Sequence, residues 1–421
     1  MADIVSADGI HSNRRWLFVA SCISLLTTSM IFAIRGDIQT ALSGEYHLTS
    51  EQMGLIWGPA FWGFTIAIFI CGALVDTIGM KFMHALSSIG FIAGVSLVLA
   101  APPPDLADGE FVSNIFAYRG TTMIYIGFLV MGLSQGVVEG VINPLTVTLY
   151  PDQKGKKLNA LHAWWPAGMI VGGLLAFALT KSGATWQIKL SAIIVPAVIY
   201  LAMSLIKPYP RTERVAADIP TSVMFKECLK PMFLLMFVCM WLTAATELGP
   251  DQWFPTVMKE LTGMEGILFL CYTAGLMFVL RFFFGGVVHK FSPFGVLAIC
   301  SLLVGIGLYA LGSLKTGTSV VLAFGAATLF GVGKSYFWPT MLGIVSERFP
   351  RGGALAINLM GGAGMLSIAV VLPVMGAKLD KAGAGAALKM VSGLAIILLV
   401  VFSIAYLVIR KQGGYKAEKI G

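Results

Sequence analysis

Charge is what this sequence has least of. Only 12% of its 421 residues are Asp, Glu, Lys or Arg, about half the share of an ordinary soluble domain. Against that, 57% are hydrophobic and the mean hydropathy is +0.84. No soluble fold buries so much apolar surface, so lipid must be the solvent, and the net charge of +8 is not a nucleic-acid footprint. The chain also lacks a phosphate-binding glycine loop, a His-Glu-x-x-His set and any metal-type cysteine spacing. Five of its six cysteines, Cys22, Cys71, Cys239, Cys271 and Cys300, lie inside apolar runs as small core residues, and Cys228 lies outside them. These absences argue against an enzyme, a metal centre or any cofactor, and leave an ion gradient to drive accumulation. Arg14 and Arg15 precede a run too long for a signal peptide, with no small-residue cleavage site behind it, so no cleavable signal is expected.

What is present is a series of long apolar segments: 15–41, 51–76, 82–101, 121–149, 157–180, 186–206, 230–257, 265–288, 294–313, 318–346, 354–377 and 388–409. A membrane span needs about 20 apolar residues, so these consume nearly the whole chain. The expected fold is an all-α membrane protein of twelve transmembrane helices in two six-helix halves, 1–206 and 230–421. The polar stretch 207–229, with three prolines and a cluster of charges, reads as a cytoplasmic linker between them. With the N-terminus inside, 18 of the 29 Lys and Arg fall on the side of the termini, eight on the other and three within spans. The bias places both termini in the cytoplasm.

The halves resemble each other. Gly72-xxx-Asp76-xx-Gly79-x-Lys81 closes the second span, and Gly285-xxx-His289 closes the eighth. Glu139 and Lys334 each stand five residues before a proline, Pro144 and Pro339, in the fourth and tenth spans. Two related six-span halves are the architecture of the major facilitator superfamily, with a substrate site between them near the midplane. The stretch from Gly72 to Lys81 resembles that superfamily's loop motif, which implies gating roles for Gly72, Asp76, Gly79 and Lys81. Residues 139–168, with Glu139, Asn143-Pro144 and Leu158-Asn159, resemble the fucose:proton symporter group, which includes glucose and galactose carriers. Asp37-Ile38 and the pair Glu247 and Trp253 are similar to that group as well. Arg35, His162, Trp165 and Lys334 depart from its pattern, which puts a neutral sugar in doubt.

Seven ionisable groups stand within or close to the spans: Arg35, Asp37, Glu139, Glu247, Asp251, Arg281 and Lys334. Each is costly there, by several kcal/mol on most scales, and so faces a water-filled path or a partner. Glu139, beside Gly132, Gly136 and Gly140, suits a proton carrier, the alternative being an ion pair with Arg35 or Lys334. Asp37 is a second proton candidate or else lies near the outer interface. Arg35 and Gln39 flank it, and Arg35 either pairs with Glu139 or clamps an anion. Asn143, Asn159, His162 and Trp165 can bond and stack against a small solute, or else pack. Glu247, Asp251, Gln252 and Trp253 surround Pro250, whose missing N–H weakens the helix where it would bend during gating, and Glu247, Gln252 and Trp253 are expected to contact the substrate beside it. The alternative for Asp251 is a place near the outer surface. Lys334, beside Trp338, must meet a cavity or a carboxylate, and Arg281 can snorkel to the cytoplasmic end in a structural or gating role.

Together these features lead us to expect a secondary transporter that works by alternating access in a bacterial inner membrane, as a monomer without nucleic-acid partners. Proton-coupled symport of a monosaccharide is the first expectation. The alternatives are a carrier of an organic anion, such as a sugar acid, favoured by Arg35 and Lys334, and a facilitative sugar uniporter.

Overall fold

The computed structural model describes residues 7–107, 109–150, 157, 160–210, 221–283, 292–315 and 317–416, and among these every regular element is helical. The first half contains α1 (Ala7–Glu45), α2 (Ser50–Ile78), α3 (Met80–Leu99), α4 (Arg119–Leu149), α5 (Trp164–Lys181), α6 (Trp186–Ser191) and α7 (Ile194–Ile206). After the short α8 (Thr221–Cys228) come α9 (Pro231–Thr262), α10 (Ile267–Phe283), α11 (Pro293–Leu311), α12 (Val320–Lys334), α13 (Phe337–Arg348) and α14 (Gly353–Lys411). Ten apolar stretches are long enough to cross a membrane, and the shorter Ile267–Arg281 adds another. The last of the ten, 57 residues long, is interrupted at Gly383, where φ is +80°, and so makes two crossings. The total is the expected twelve.

Prolines explain where the helices break. Pro339 lacks an N–H for the carbonyl of residue 335 and its ring crowds it, and the tenth span divides at Ser335–Tyr336. Pro196 stands in the same relation to Ala192, where the sixth span divides into α6 and α7. The expected loop 378–387 is a correction. Its sequence, Lys-Leu-Asp-Lys-Ala-Gly-Ala-Gly-Ala-Ala, is rich in strong helix formers, so the two flanking helices extend into it from both sides and meet at a kink at Gly383, where the backbone is non-helical. Of the expected linker 207–229, residues 211–220 lie outside the described residues, and its end is the helix α8.

Because each connection reverses the chain, α1 begins and α14 ends at one end of the bundle, the end that the positive charge bias expects to be the inner one; the opposite end is called the outer end. α4 packs on α2 through the expected glycine stripe. A Cβ on Gly132 would stand 2.5 Å from the carbonyl oxygen of Ala60, and one on Gly140 would stand 2.7 Å from Cys71. The halves meet where α1 runs beside α9, α2 against α14 and α5 against α10. Among the described residues, the hydrogen bonds and ion pairs between the halves lie at the outer end and midway. At the outer end Asp380 accepts the backbone N–H groups of Ser50 and Glu51 (3.2 and 3.0 Å), and Lys181 faces Glu265 at 3.7 Å. Midway, Thr65 donates to the Gly362 carbonyl at 2.7 Å. The outer end is closed.

Candidate transport site

The intramembrane charges sort themselves by partner. Lys334, at the end of α12, donates to both carboxylate oxygens of Asp251 on α9 (2.6 and 2.5 Å) and to Thr273 Oγ1 on α10 (3.2 Å), with neither charged side chain exposed. Lys334 thus meets a carboxylate and not an open cavity. Asp251 is sealed in the core, not near the outer surface. Asp37 pairs with Lys189 on α6 at 2.7 Å, and Lys189 also donates to Thr180.

Glu247 faces Arg281 across α9 and α10 at 3.7 Å, too long for a hydrogen bond. Arg281 Nε instead donates at 2.8 Å to the Ser335 carbonyl, the acceptor that Pro339 leaves free. Glu247 Oε2 and Arg281 Nη2 are both buried without a hydrogen-bond partner. Pro250 lies inside α9, one turn from Thr246, and the helix continues through it and through Pro255.

Two charges remain. Glu139 accepts from the amide of Asn143 (3.1 Å), whose carbonyl accepts from His162 Nε2 (3.0 Å). This relay joins α4 to the start of the fifth span and contains no cation–carboxylate pair. Arg35 is 1% exposed. Its one side-chain hydrogen bond is from Nε to Gln252 Oε1, at 3.3 Å, and Nη2 has no partner. The guanidinium lies 4.7 Å from the ring centre of Phe61, 5.5 Å from Phe32 and 5.8 Å from Trp57. Cation–π contact of this kind contributes about 0.5–2 kcal/mol each, less than a buried charge loses in leaving water.

Arg35 and Glu139 are not partners. Gln135 of α4 donates to the Thr28 carbonyl of α1 and marks a common level. Arg35 lies seven residues outward of that level and Glu139 four inward, about 16 Å apart along the bundle at 1.5 Å per residue. Lys334, the other expected partner for Glu139, is taken by Asp251.

Unmet polar atoms lie close to Arg35. Gln39, one turn outward, is buried with Oε1 unbonded, and the indole N–H of Trp57, whose ring Arg35 faces, is buried without an acceptor; the Trp253 indole N–H, next to Gln252 in sequence, is likewise buried and unbonded. Gln252 also donates to the Phe32 carbonyl at 3.4 Å. Trp165 does not join His162. It lies 6.1 Å from Phe32, and Trp338 packs on Gly364 of α14. Asn159 lies outside the described residues, as does His289. Gly72 and Asp76 fall in α2, of which the backbone alone is described at those positions. Gly79 joins α2 to α3 with φ +96°, a conformation that favours glycine, and Lys81 sits in the first turn of α3. The sequence reading missed Phe32, Trp57 and Phe61. Their spacing was visible, since Phe32 is three residues before Arg35 and Trp57 four before Phe61, each pair on one helix face.

Residues 17–361 match the model of the Major Facilitator Superfamily. The chain belongs to that superfamily. It is a secondary transporter and not an enzyme. A gentisate transporter of Corynebacterium glutamicum is 25% identical over 367 residues, covering 81% of this chain and 75% of its own. A Bacillus subtilis protein described as a niacin/nicotinamide transporter is 23% identical over 380 residues, covering 80% and 90%. Among solved structures, a D-xylose–proton symporter superposes with a TM-score of 0.75 over 92% of this chain and 96% of its own, at 15% identity. That likeness establishes the fold alone. The match is to the broad superfamily and does not single out the fucose, glucose and galactose group.

Proposed function

We propose that this superfamily member carries a small aromatic carboxylate together with a proton. The observation that carries the reading is Arg35, a fully buried guanidinium held by three aromatic rings and one glutamine, with a donor to spare and no carboxylate. A permanent cation sealed in an apolar core needs a counter-ion, and a transported carboxylate supplies it through the two-point geometry that guanidinium favours. Gln252 stands in for that carboxylate while the outer end is closed. α1 and α9 belong to opposite halves, so opening the outer end parts Arg35 from Gln252 and offers the guanidinium to solute. The rings of Phe32, Trp57 and Phe61 suit a flat ring beside the carboxylate. One relative is named for gentisate, a carboxylate on an aromatic ring, and the other for niacin/nicotinamide, an aromatic acid and its neutral amide; the aromatic ring common to these names supports the choice of ring, and the choice of carboxylate rests on Arg35. A monosaccharide, as the sequence resemblance implied, would leave Arg35 without a counter-ion.

Proton coupling rests on Glu139, whose hydrogen-bond partner is an amide and not a cation. It can take a proton without abandoning an ion pair. Rocking of the halves then exposes Arg35 outward and releases the solute at the inner end. The test is tracer uptake into proteoliposomes of nicotinate and nicotinamide, which share a ring and differ in charge, beside hydroxybenzoates, hexoses and hexuronates. The reading expects uptake of the aromatic acids and its loss in Arg35→Gln. Hexose uptake that survives Arg35→Gln would overturn it.

A further inference from the structure

The Glu247–Arg281 pair is built unlike the other buried pairs. Asp251 and Lys334 close to 2.5 Å and Asp37 and Lys189 to 2.7 Å, whereas Glu247 and Arg281 stop at 3.7 Å. Each leaves a buried polar atom unbonded, Oε2 on the acid and Nη2 on the base. Arg281 is not free to close the gap, because its Nε is tied to the Ser335 carbonyl. The guanidinium is therefore fixed by the helix break at Pro339, and its outer edge points to an acceptor that Glu247 fills only in part. The arginine side chain is 15% exposed against 4% for Glu247, although the Nη2 that faces Glu247 is itself buried.

We infer that Arg281 is a second, inner station for the transported carboxylate and that Glu247 is the built-in competitor that displaces it. The inference rests on the aromatic-acid reading above. Along α9, Glu247 lies five residues inward of Gln252, the residue that covers Arg35. That is about 8 Å of helix, a short step for a ring-bearing acid passing from one arginine to the other. At the inner station the solute's carboxylate takes two guanidinium N–H groups. Glu247 then loses its counter-ion and takes up a proton. When that proton leaves to the inner side, the Glu247 carboxylate reclaims Arg281 and expels the solute. No bond other than the O–H is made or broken.

The other charges acting on Glu247 are Asp251 on its own helix and Lys334 on α12, and these two are occupied with each other. Those acting on Arg281 besides Glu247 include Tyr336, whose hydroxyl donates to the Leu280 carbonyl. Arg281 is also within electrostatic reach of His162, and Glu247 of Cys300 on α11. His162 is held by Asn143. Histidine titration near neutral pH is the main competing source of pH dependence, so its variant belongs in the test.

The experiment is calorimetric binding of benzoate and nicotinate to the full-length protein in detergent, at pH values from 5.5 to 8, for the wild type, Glu247→Gln, Arg281→Gln, Arg35→Gln and His162→Gln. Size-exclusion profiles check that each variant is folded. We expect wild-type affinity to fall as pH rises, by up to tenfold per unit for one linked proton, with proton uptake on binding. Glu247→Gln should flatten the pH dependence and lower the proton uptake by one proton relative to the wild type, any uptake that remains belonging to Glu139. Arg281→Gln should weaken binding and flatten the pH dependence, and His162→Gln should keep the dependence. The inference is overturned if Glu247→Gln keeps the wild-type pH dependence, if His162→Gln loses it, or if Arg281→Gln binds like the wild type. In those cases, binding that still vanishes in Arg35→Gln leaves the aromatic-acid reading standing. If the wild type binds neither probe, both fail together.

Discussion

The Asp251–Lys334 pair makes the most decisive prediction, because the sequence offered Lys334 as a substrate residue and the structure gives it an internal carboxylate. Both side chains are wholly buried, and the lysine spends its donors on both oxygens of Asp251 and on Thr273. Replacing Lys334 with Met leaves a bare carboxylate in an apolar core, and replacing Asp251 with Leu leaves a bare ammonium. Either change should destabilise by about 3–5 kcal/mol. The double variant Asp251→Leu/Lys334→Met removes both charges at similar volume and should fall within ~1 kcal/mol of the wild type or above it. The coupling between the sites is thus several kcal/mol, far outside the few tenths expected for independent positions. The assay is a double-mutant cycle on unfolding in mixed micelles, run in parallel with tracer uptake in vesicles. Additive losses in stability would refute the structural reading of the pair. A double variant that is stable but no longer transports would return Lys334 to the substrate path.

Arg35→Gln should weaken aromatic-acid binding by about 2–5 kcal/mol, roughly 30-fold to several-thousand-fold in Kd. Arg35→Lys should recover only part of it, because the planar fork is lost, and equilibrium binding measures both. Asp380→Asn weakens the charged cap on the α2 N-terminus, worth about 0.3–1 kcal/mol, and so should raise outer-end opening about two- to fivefold. Maleimide labelling of a cysteine placed at Gln39, buried just beneath the Thr40–Thr256 contact across the closed end, reads that change. Gly54→Ala puts a Cβ 2.5 Å from Pro373 Cα and should hold the outer end open, with strong labelling of the same cysteine and lost uptake. Glu139→Gln should abolish accumulation driven by a pH gradient and reduce solute exchange by much less, as measured by counterflow.

The span pattern was legible because lipid imposes it. Twelve apolar runs, a positive bias toward one side and a charged middle stretch follow from hydrocarbon thickness and charge cost, and each acts locally along the chain. The role of Lys334 was legible for the same reason, since a cation so far from either interface must meet a carboxylate or water. Its partner was not legible, because choosing Asp251 over Glu139 requires knowing how far two helices are rotated and slid against each other. Arg35 shows the same limit. Its partner Gln252 is 217 positions away, and its aromatic surroundings come from α1 and α2 together. The break expected in 378–387 is present but confined to Gly383, because the alanines extend both flanking helices to that kink. The symporter resemblance led toward a neutral sugar because it rests on residues 139–168, which contain the proton-bearing relay and not Arg35.

The measurement that tests the central claim most directly is solute-driven proton movement into proteoliposomes, followed by a pH dye in the external medium, with protein-free vesicles subtracted. The account predicts external alkalinisation on adding nicotinate or a hydroxybenzoate, none with nicotinamide or a hexose, and loss of the signal in both Arg35→Gln and Glu139→Gln. Alkalinisation driven by a hexose and unaffected by Arg35→Gln would contradict it.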